Sequence, residues 1–247
     1  MPSATAPVQA VLFDLDGTLN GIDMERFLPL YFRALGEYVG HLIEPQRLAR
    51  EVWKATEALL QDGSMELSNA EKFRRLFLPD QGELRDRLYP WFDRFYAERF
   101  GLLRQHAPVT PLARQVVTAV RQMGMRVAVA TNPVFPMSAI RQRLQWAGLG
   151  DVPFDWVTAM ENSHACKPNL AYFREISERL EVPPERCLMV GNDRDEDMVA
   201  AKLGMHTYWV TDLPIDRGRA RIEPEGQGPL ASFLDWFRTR LAREASA

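Results

Sequence analysis

The sequence predicts an α/β protein: a three-layer, Rossmann-like core on a parallel sheet, with an all-helical domain inserted after the first strand. Two observations carry that prediction. Short, nearly continuously apolar runs alternate with amphipathic helical patterns over most of the 247 residues, as expected for parallel strands buried on both faces and joined by right-handed crossovers. One interval, from about residue 22 to 100, breaks the alternation with helical patterns and no strand.

The first strand is VQAVLFDL (8–15), preceded by a loose tail that has no basic n-region and whose apolar run breaks at Asp14, so a secretion signal is not expected. Four helical patterns follow: MERFLPLYFRALGEYVG, PQRLAREVWKATEALLQDG, SNAEKFRRLF and GELRDRLYPWFDRFYAERFG. Each carries apolar residues three and four apart, and Ser68 with Glu71 forms a capping box for the third. Their aromatic residues, Phe27, Tyr31, Phe32, Trp91, Phe92, Phe95 and Tyr96, are expected to be core, while Arg26, Arg33 and Arg94 are expected to face solvent.

The α/β pattern resumes near Thr110. In TPLARQVVTAVRQMG one helical face collects Leu112, Val116, Val117, Val120 and Met123, with Thr110 as the cap, Pro111 at the first helical position and Gly124 as the stop. Strands at 125–131, 154–160, 186–192 and 206–211 then alternate with helices around 134–147, 169–181, 195–203 and 229–243. The stretch IDRGRARIEPEGQGP (215–229) reads as a polar loop. The chain thus divides into a core of 1–20 and 105–247 and a helical insertion of 21–104, with hinges near 19–23 and 101–109.

Composition narrows the class. Hydrophobic content of 46% and charged content of 26% are those of a soluble globular protein. A net charge of −3 gives no reason to expect a nucleic-acid partner, and no apolar run reaches the ~20 residues that span a bilayer. Cys166 and Cys187 are the only cysteines. His164 lies near Cys166, but no second pair offers zinc-type spacing, so the thiols are expected to be structural and the compartment a reducing cytoplasm.

In open parallel sheets, ligands sit beyond the carboxyl ends of the strands. The first strand ends in Asp14 and Asp16, the second in Thr131 and Asn132; Lys167 follows the third, and the fourth ends in GNDRDED, with Asn192, Asp193, Asp195 and Asp197. That set suits phosphoryl transfer. A carboxylate attacking phosphorus forms an acyl phosphate, and a second carboxylate donates to the leaving oxygen and then activates water. Mg²⁺ takes oxygen ligands from carboxylates and substrate phosphate, and would relieve the repulsion between Asp14 and Asp16. A lysine and a hydroxyl stabilise the transferring group, and Gly17 lets the backbone turn sharply and approach the phosphate.

These motifs, DLDGT, ATN, CKP and VGNDRDED in that order, resemble the haloacid dehalogenase-like hydrolase superfamily over roughly 8–20 and 105–212. The resemblance implies that Asp14 is the nucleophile and Asp16 the general acid/base, with the Asp16 backbone carbonyl facing Mg²⁺. It implies that Thr131 holds the phosphoryl group and Lys167 neutralises charge, with Gly17 and Asn132 beside the phosphate. The helical insertion resembles the family's cap. Many members have Asp directly after the glycine of the fourth motif; here Asn192 stands there and Asp193 follows, so Asp193 is the expected metal ligand, with Asn192 and Asp197 behind it.

The expected function is therefore a Mg²⁺-dependent phosphatase acting on a small phosphorylated metabolite, in the cytoplasm and away from membranes and nucleic acids. The rivals are a phosphomutase, a phosphonate hydrolase using Lys54 or Lys72, and a catalytically silent binding or regulatory member. Dehalogenases of the family lack the aspartate found here at Asp16. Substrate and oligomeric state are not legible in the sequence.

Overall fold

The computed structural model describes residues 7–108 and 110–244. Six strands form one parallel sheet in the order β3-β2-β1-β4-β5-β6: β1 Ala10–Phe13, β2 Arg126–Val129, β3 Trp156–Val157, β4 Cys187–Gly191, β5 His206–Val210 and β6 Gly226–Gly228. The eight α-helices are α1 Met24–Val39, α2 Pro45–Gln61, α3 Asn69–Leu76, α4 Gly82–Glu98, α5 Leu112–Gln122, α6 Met137–Trp146, α7 Leu170–Leu180 and α8 Leu230–Glu244. Every residue of β1 and β4 is buried, which is why their sequences are continuously apolar rather than alternating.

Register decides what meets at the top of the sheet. Phe13 pairs with Val129 on one side and Val190 on the other. The Asp14 N–H donates to the Val190 carbonyl at 2.9 Å, and Ala130 N–H to the Phe13 carbonyl at 2.7 Å. The residues just past β1, β2 and β4 therefore emerge side by side.

The strands are shorter than their apolar runs, and three other expectations change. Residues 226–228 form β6 inside the stretch read as a loop. Its glycines give no side-chain pattern, yet they are what the strand needs: a Cβ on Gly226 would lie 2.3 Å from the Trp236 indole. The expected helix at 195–203 is a 3₁₀ segment, Met198–Leu203, closed by Gly204 at φ +83°. Thr110 does not cap α5 with its hydroxyl; its carbonyl accepts from Ala113 N–H at 3.1 Å. Leu112, at the exposed start of that helix, is 38% exposed, while Val116, Val117 and Val120 are buried as the pattern requires. Gly124, at φ +83°, turns the chain into β2.

Every regular element between β1 and α5 among the described residues is helical, α1 to α4 followed by a 3₁₀ segment, Phe100–His106. The capping box is present: the Ser68 N–H donates to Glu71 Oε2 at 2.9 Å while the Ser68 hydroxyl oxygen accepts from the Glu71 N–H at 3.3 Å. Two kinds of contact seat the segment on the sheet layer. Phe27 and Phe100 pack edge to face at 6.2 Å, and Phe100 stacks on Trp146 of α6 at 5.2 Å. At α3, the Asn69 and Ala70 N–H groups donate to Ser163 and Met160 carbonyls at 2.8 and 2.9 Å. Buried Lys72 reaches the His164 carbonyl at 2.7 Å and pairs with Asp62 at 3.4 Å, so its charge is satisfied within the protein. Phe27, Tyr31 and Phe95 are core, as expected, whereas Phe32, Trp91, Phe92 and Tyr96 are only partly buried.

Because Phe100 is fully buried at the junction, Phe100→Ala is expected to lower the unfolding free energy by about 3–5 kcal/mol in urea denaturation. A loss below about 1 kcal/mol would mean that the aromatic junction relaxes around the gap.

Candidate active site

The strand ends bring eight sequence-selected residues to one cavity of about 480 Å³: Asp14, Asp16, Thr131, Asn132, Lys167, Asn192, Asp193 and Asp197 all line it. Gly17 does not. At φ +79° it turns the chain, and a Cβ there would lie 2.3 Å from Asn192 Nδ2, so glycine is required by the close passage of Asn192.

Lys167 stands at the centre. Its Nζ donates to Asp14 Oδ1 at 2.8 Å and to Asp197 Oδ1 at 2.6 Å, and all three side chains are buried. Burial opposes the lysine charge, but Asp14 and Asp197 more than offset it and hold its pKa well above the ordinary value. Burial raises Asp14, with Lys167 pulling the other way, and raises Asp197 to about 8 despite the same lysine. Asp197 Oδ2 also accepts the Asp193 N–H at 3.0 Å. That approach needs Gly191, where a Cβ would meet Asp197 Oδ2 at 2.1 Å. The Thr18 hydroxyl lies 3.3 Å from both Asp14 Oδ2 and Asn192 Oδ1.

Asp16 is held differently. Asn20 Nδ2 donates to its Oδ1 at 2.9 Å and Arg143 pairs with its Oδ2. Protein cations on each carboxylate, Lys167 on Asp14 and Arg143 on Asp16, thus offset the repulsion for which a metal was the simplest expectation. Arg143 is 1% exposed, sits 4.5 Å over the Phe135 ring, and leaves Nε and Nη2 without partners. Sequence reading missed it. The available signal was spacing: Arg143 falls four after Ala139 and three after Ile140, on the buried face of α6.

Thr131 is positioned through its backbone, its carbonyl accepting from the Tyr172 and Thr158 hydroxyls at 2.8 Å each. Asn132 Nδ2 donates to Glu196 Oε2 at 3.0 Å. Burial raises the Glu196 pKa and Asp193 adds to the effect. Asp193 Oδ1 accepts from the N–H groups of Asp195 and Glu196, at 2.9 and 3.1 Å, while its Oδ2 pairs with Arg217 Nη1 at 2.6 Å. Arg217 comes from the polar loop after β5, and Asp195 pins that loop by accepting from the Arg217 and Arg219 N–H groups at 2.6 and 2.8 Å. Nothing in the sequence marks this arginine, since the contact is purely tertiary.

The buried and partly buried acids Asp14, Asp16, Asp193, Glu196 and Asp197 outnumber the cations Lys167, Arg143 and Arg217 in this cavity, which Asp93 and Glu161 also line from exposed positions. A buried excess of hard oxygen donors fits a divalent cation such as Mg²⁺. Among the described residues no three acidic, histidine or cysteine side chains form a ready cage; Mg²⁺ characteristically uses one or two carboxylates plus water and phosphate. The cysteines do not enter this chemistry: both are free and buried, with thiols pushed up to about 12 by burial, and His164 pairs with Glu175 at 2.6 Å.

Comparison with known proteins agrees with this geometry. Residues 8–204 match the family described as haloacid dehalogenase-like hydrolase. A phosphoserine phosphatase of Thermus thermophilus is 31% identical over 54% of this chain, which spans about half (51%) of that relative. A phosphoglycolate phosphatase of Nitrosospira multiformis is 27% identical over 83% of each chain. The solved structure of a 2-haloacid dehalogenase from Pseudomonas syringae pv. Tomato DC3000 superposes with a TM-score of 0.66 at 21% identity, covering 94% of this chain and 99% of that one, and shows the shared fold. A family match that takes in β1 to β4 and every motif at their carboxyl ends settles the membership: this chain belongs to the haloacid dehalogenase-like hydrolases.

Proposed function

We propose that the protein is a Mg²⁺-dependent phosphatase that hydrolyses a small phosphate monoester through an aspartyl-phosphate, with the helical segment 21–104 acting as a cap over the core 1–20 and 105–247. The observation that carries the proposal is Lys167, buried and charged between Asp14 and Asp197 beside Thr131. It supplies an anion-neutralising group beside Asp14, the strand-end carboxylate read as the nucleophile.

In this reading an Asp14 oxygen attacks phosphorus while the ester P–O bond breaks, and Asp16 gives the departing alkoxide its proton. The ionised Asp16 then takes a proton from water as that water attacks the acyl phosphate, releasing inorganic phosphate and regenerating Asp14. Lys167 and the Thr131 hydroxyl hold the non-bridging oxygens, while Arg143 and Asn20 fix the Asp16 carboxyl toward the cavity. Asp14, Asp193 and the Asp16 main-chain oxygen would hold Mg²⁺, which would supply charge neutralisation for the phosphoryl oxygens.

Two rivals lose support. Phosphonate cleavage through a Schiff base needs an amine in the cavity, but Lys54 is exposed and Lys72 is committed to backbone carbonyls and Asp62; neither lines it. A silent binding member would have no need of the complete set Asp14, Asp16, Thr131 and Lys167. A phosphomutase keeps the same groups and differs in transferring the phosphoryl to a second alcohol.

Phosphate release from a panel of phosphate esters with Mg²⁺ should vanish in Asp14→Asn; a wild type no faster than this variant refutes the enzyme. Asp16→Asn should lower kcat by about 10²–10⁴-fold while calorimetry still detects Mg²⁺ binding, and unchanged turnover would remove Asp16 from proton transfer. Asp193→Ala should weaken Mg²⁺ binding by at least the ~10–100-fold that losing an outer partner costs. Asn192→Ala should do less, and the reverse order would assign the metal to Asn192.

A further inference from the structure

The cavity over Asp14 is divided by charge. The cations that line it, Lys167, Arg143 and Arg217, all come from the core and each is paired with a strand-end carboxylate. The walls supplied by the helical segment bring no cation at all. They are apolar and aromatic, with Leu28, Phe32, Leu60, Phe73 and Phe92 prominent. Arg26, Arg33 and Arg94 are exposed and do not line the cavity. The single charged side chain on those walls is Asp93, an acid.

The polar atoms of the same walls are mostly satisfied within the protein. The Tyr31 and Tyr96 hydroxyls share a hydrogen bond at 2.8 Å, and the Thr56 hydroxyl donates to the Val52 carbonyl at 2.9 Å. The Tyr89 hydroxyl, buried and without a hydrogen-bond partner, is a neutral donor; the Arg74 guanidinium lies 4.7 Å over its ring but is not among the side chains that line the cavity. A second anionic group on the substrate would lose its hydration there, find no cation, and face Asp93. An apolar body would instead gain from every area of these walls it covers, and about 480 Å³ lies within the usual range for a small-molecule site.

We propose that the substrate carries one anionic group only, the phosphoryl itself, and that its leaving group is an uncharged hydrophobic alcohol lying against the walls of the helical segment. This rests on the phosphatase reading above. It also separates the chain from its phosphoserine and phosphoglycolate phosphatase relatives, whose named substrates each bear a carboxylate.

The test compares esters of primary alcohols, so that leaving-group acidity does not decide the outcome: 2-phenylethyl phosphate, ethyl phosphate, 2-phosphoglycolate and O-phosphoserine, each with Mg²⁺. The kcat/KM for 2-phenylethyl phosphate is expected to exceed that for ethyl phosphate by about tenfold or more, and to exceed both carboxylate-bearing esters. Parity between the phenylethyl and ethyl esters, or a carboxylate-bearing ester as the best substrate, overturns the inference and leaves the phosphatase standing. A wild type that matches Asp14→Asn on all of them removes both. Asp93→Lys, at an exposed position on α4, is expected to raise kcat/KM for 2-phosphoglycolate several-fold relative to 2-phenylethyl phosphate; an unchanged ratio would overturn the role given to Asp93.

Discussion

The structure is organised around one buried lysine shared by two carboxylates. Taking Asp14 and Asp197 out of water costs free energy that only an opposite charge and hydrogen bonds can offset, and Lys167 supplies both at 2.8 and 2.6 Å. Loss of one partner from such a group costs about 3–5 kcal/mol, so the surrounding chain is constrained to keep it intact. Gly191 is bare so that Asp197 can close in, and Asp197 in turn anchors the Asp193 amide. Tyr172 and Thr158 fix the turn that carries Thr131. The parallel register of β1 between β2 and β4 makes the arrangement geometrically available.

A second chain of contacts ties the helical segment to the same site. Tyr31 of α1 packs on Phe135 at 5.3 Å, Phe135 lies beneath the Arg143 guanidinium at 4.5 Å, and Arg143 holds Asp16. Aromatic packing that looks like simple docking of a cap thereby reaches the carboxyl assigned to proton transfer. Displacing α1 would remove the ring support on one side of Phe135, and the arginine above it would lose part of its cation–π partner. The position of α1 and the orientation of Asp16 are linked through two rings.

What was legible in the sequence follows from which forces are local. Strands buried on both faces announce themselves by unbroken apolar runs, and the rule that ligands gather at carboxyl ends then selects Asp14, Asp16, Thr131, Lys167 and Asp193 from many polar residues. The capping box at Ser68 is equally local. By contrast, Arg217 reaches Asp193 only because Asp195 folds a distant loop back over the strand end. Arg143 carried a readable clue in its helical phase, but arginine's general preference for solvent outweighed it. The strand at 226–228 was hidden because its defining property is the absence of side chains, and the 3₁₀ geometry at 198–203 because a helical pattern does not distinguish tight from regular turns.

The apolar walls and the charged floor of the cavity are two halves of one device. On the proposed phosphatase reading, excluding water with aromatic side chains lowers the local dielectric, and each contact that Lys167 and Thr131 would make with a phosphoryl group is then worth more than it would be in an open cleft. The same exclusion makes any uncompensated charge on the leaving group costly, so the catalytic strength and the alcohol selectivity proposed above would have a common origin. A wall arginine would admit carboxylate-bearing esters, but it would also bring hydration into the cavity and weaken the field at phosphorus. Asp93, exposed on α4, would keep the proposed selectivity without that loss, because an acid there repels a second anion while the floor retains its cations.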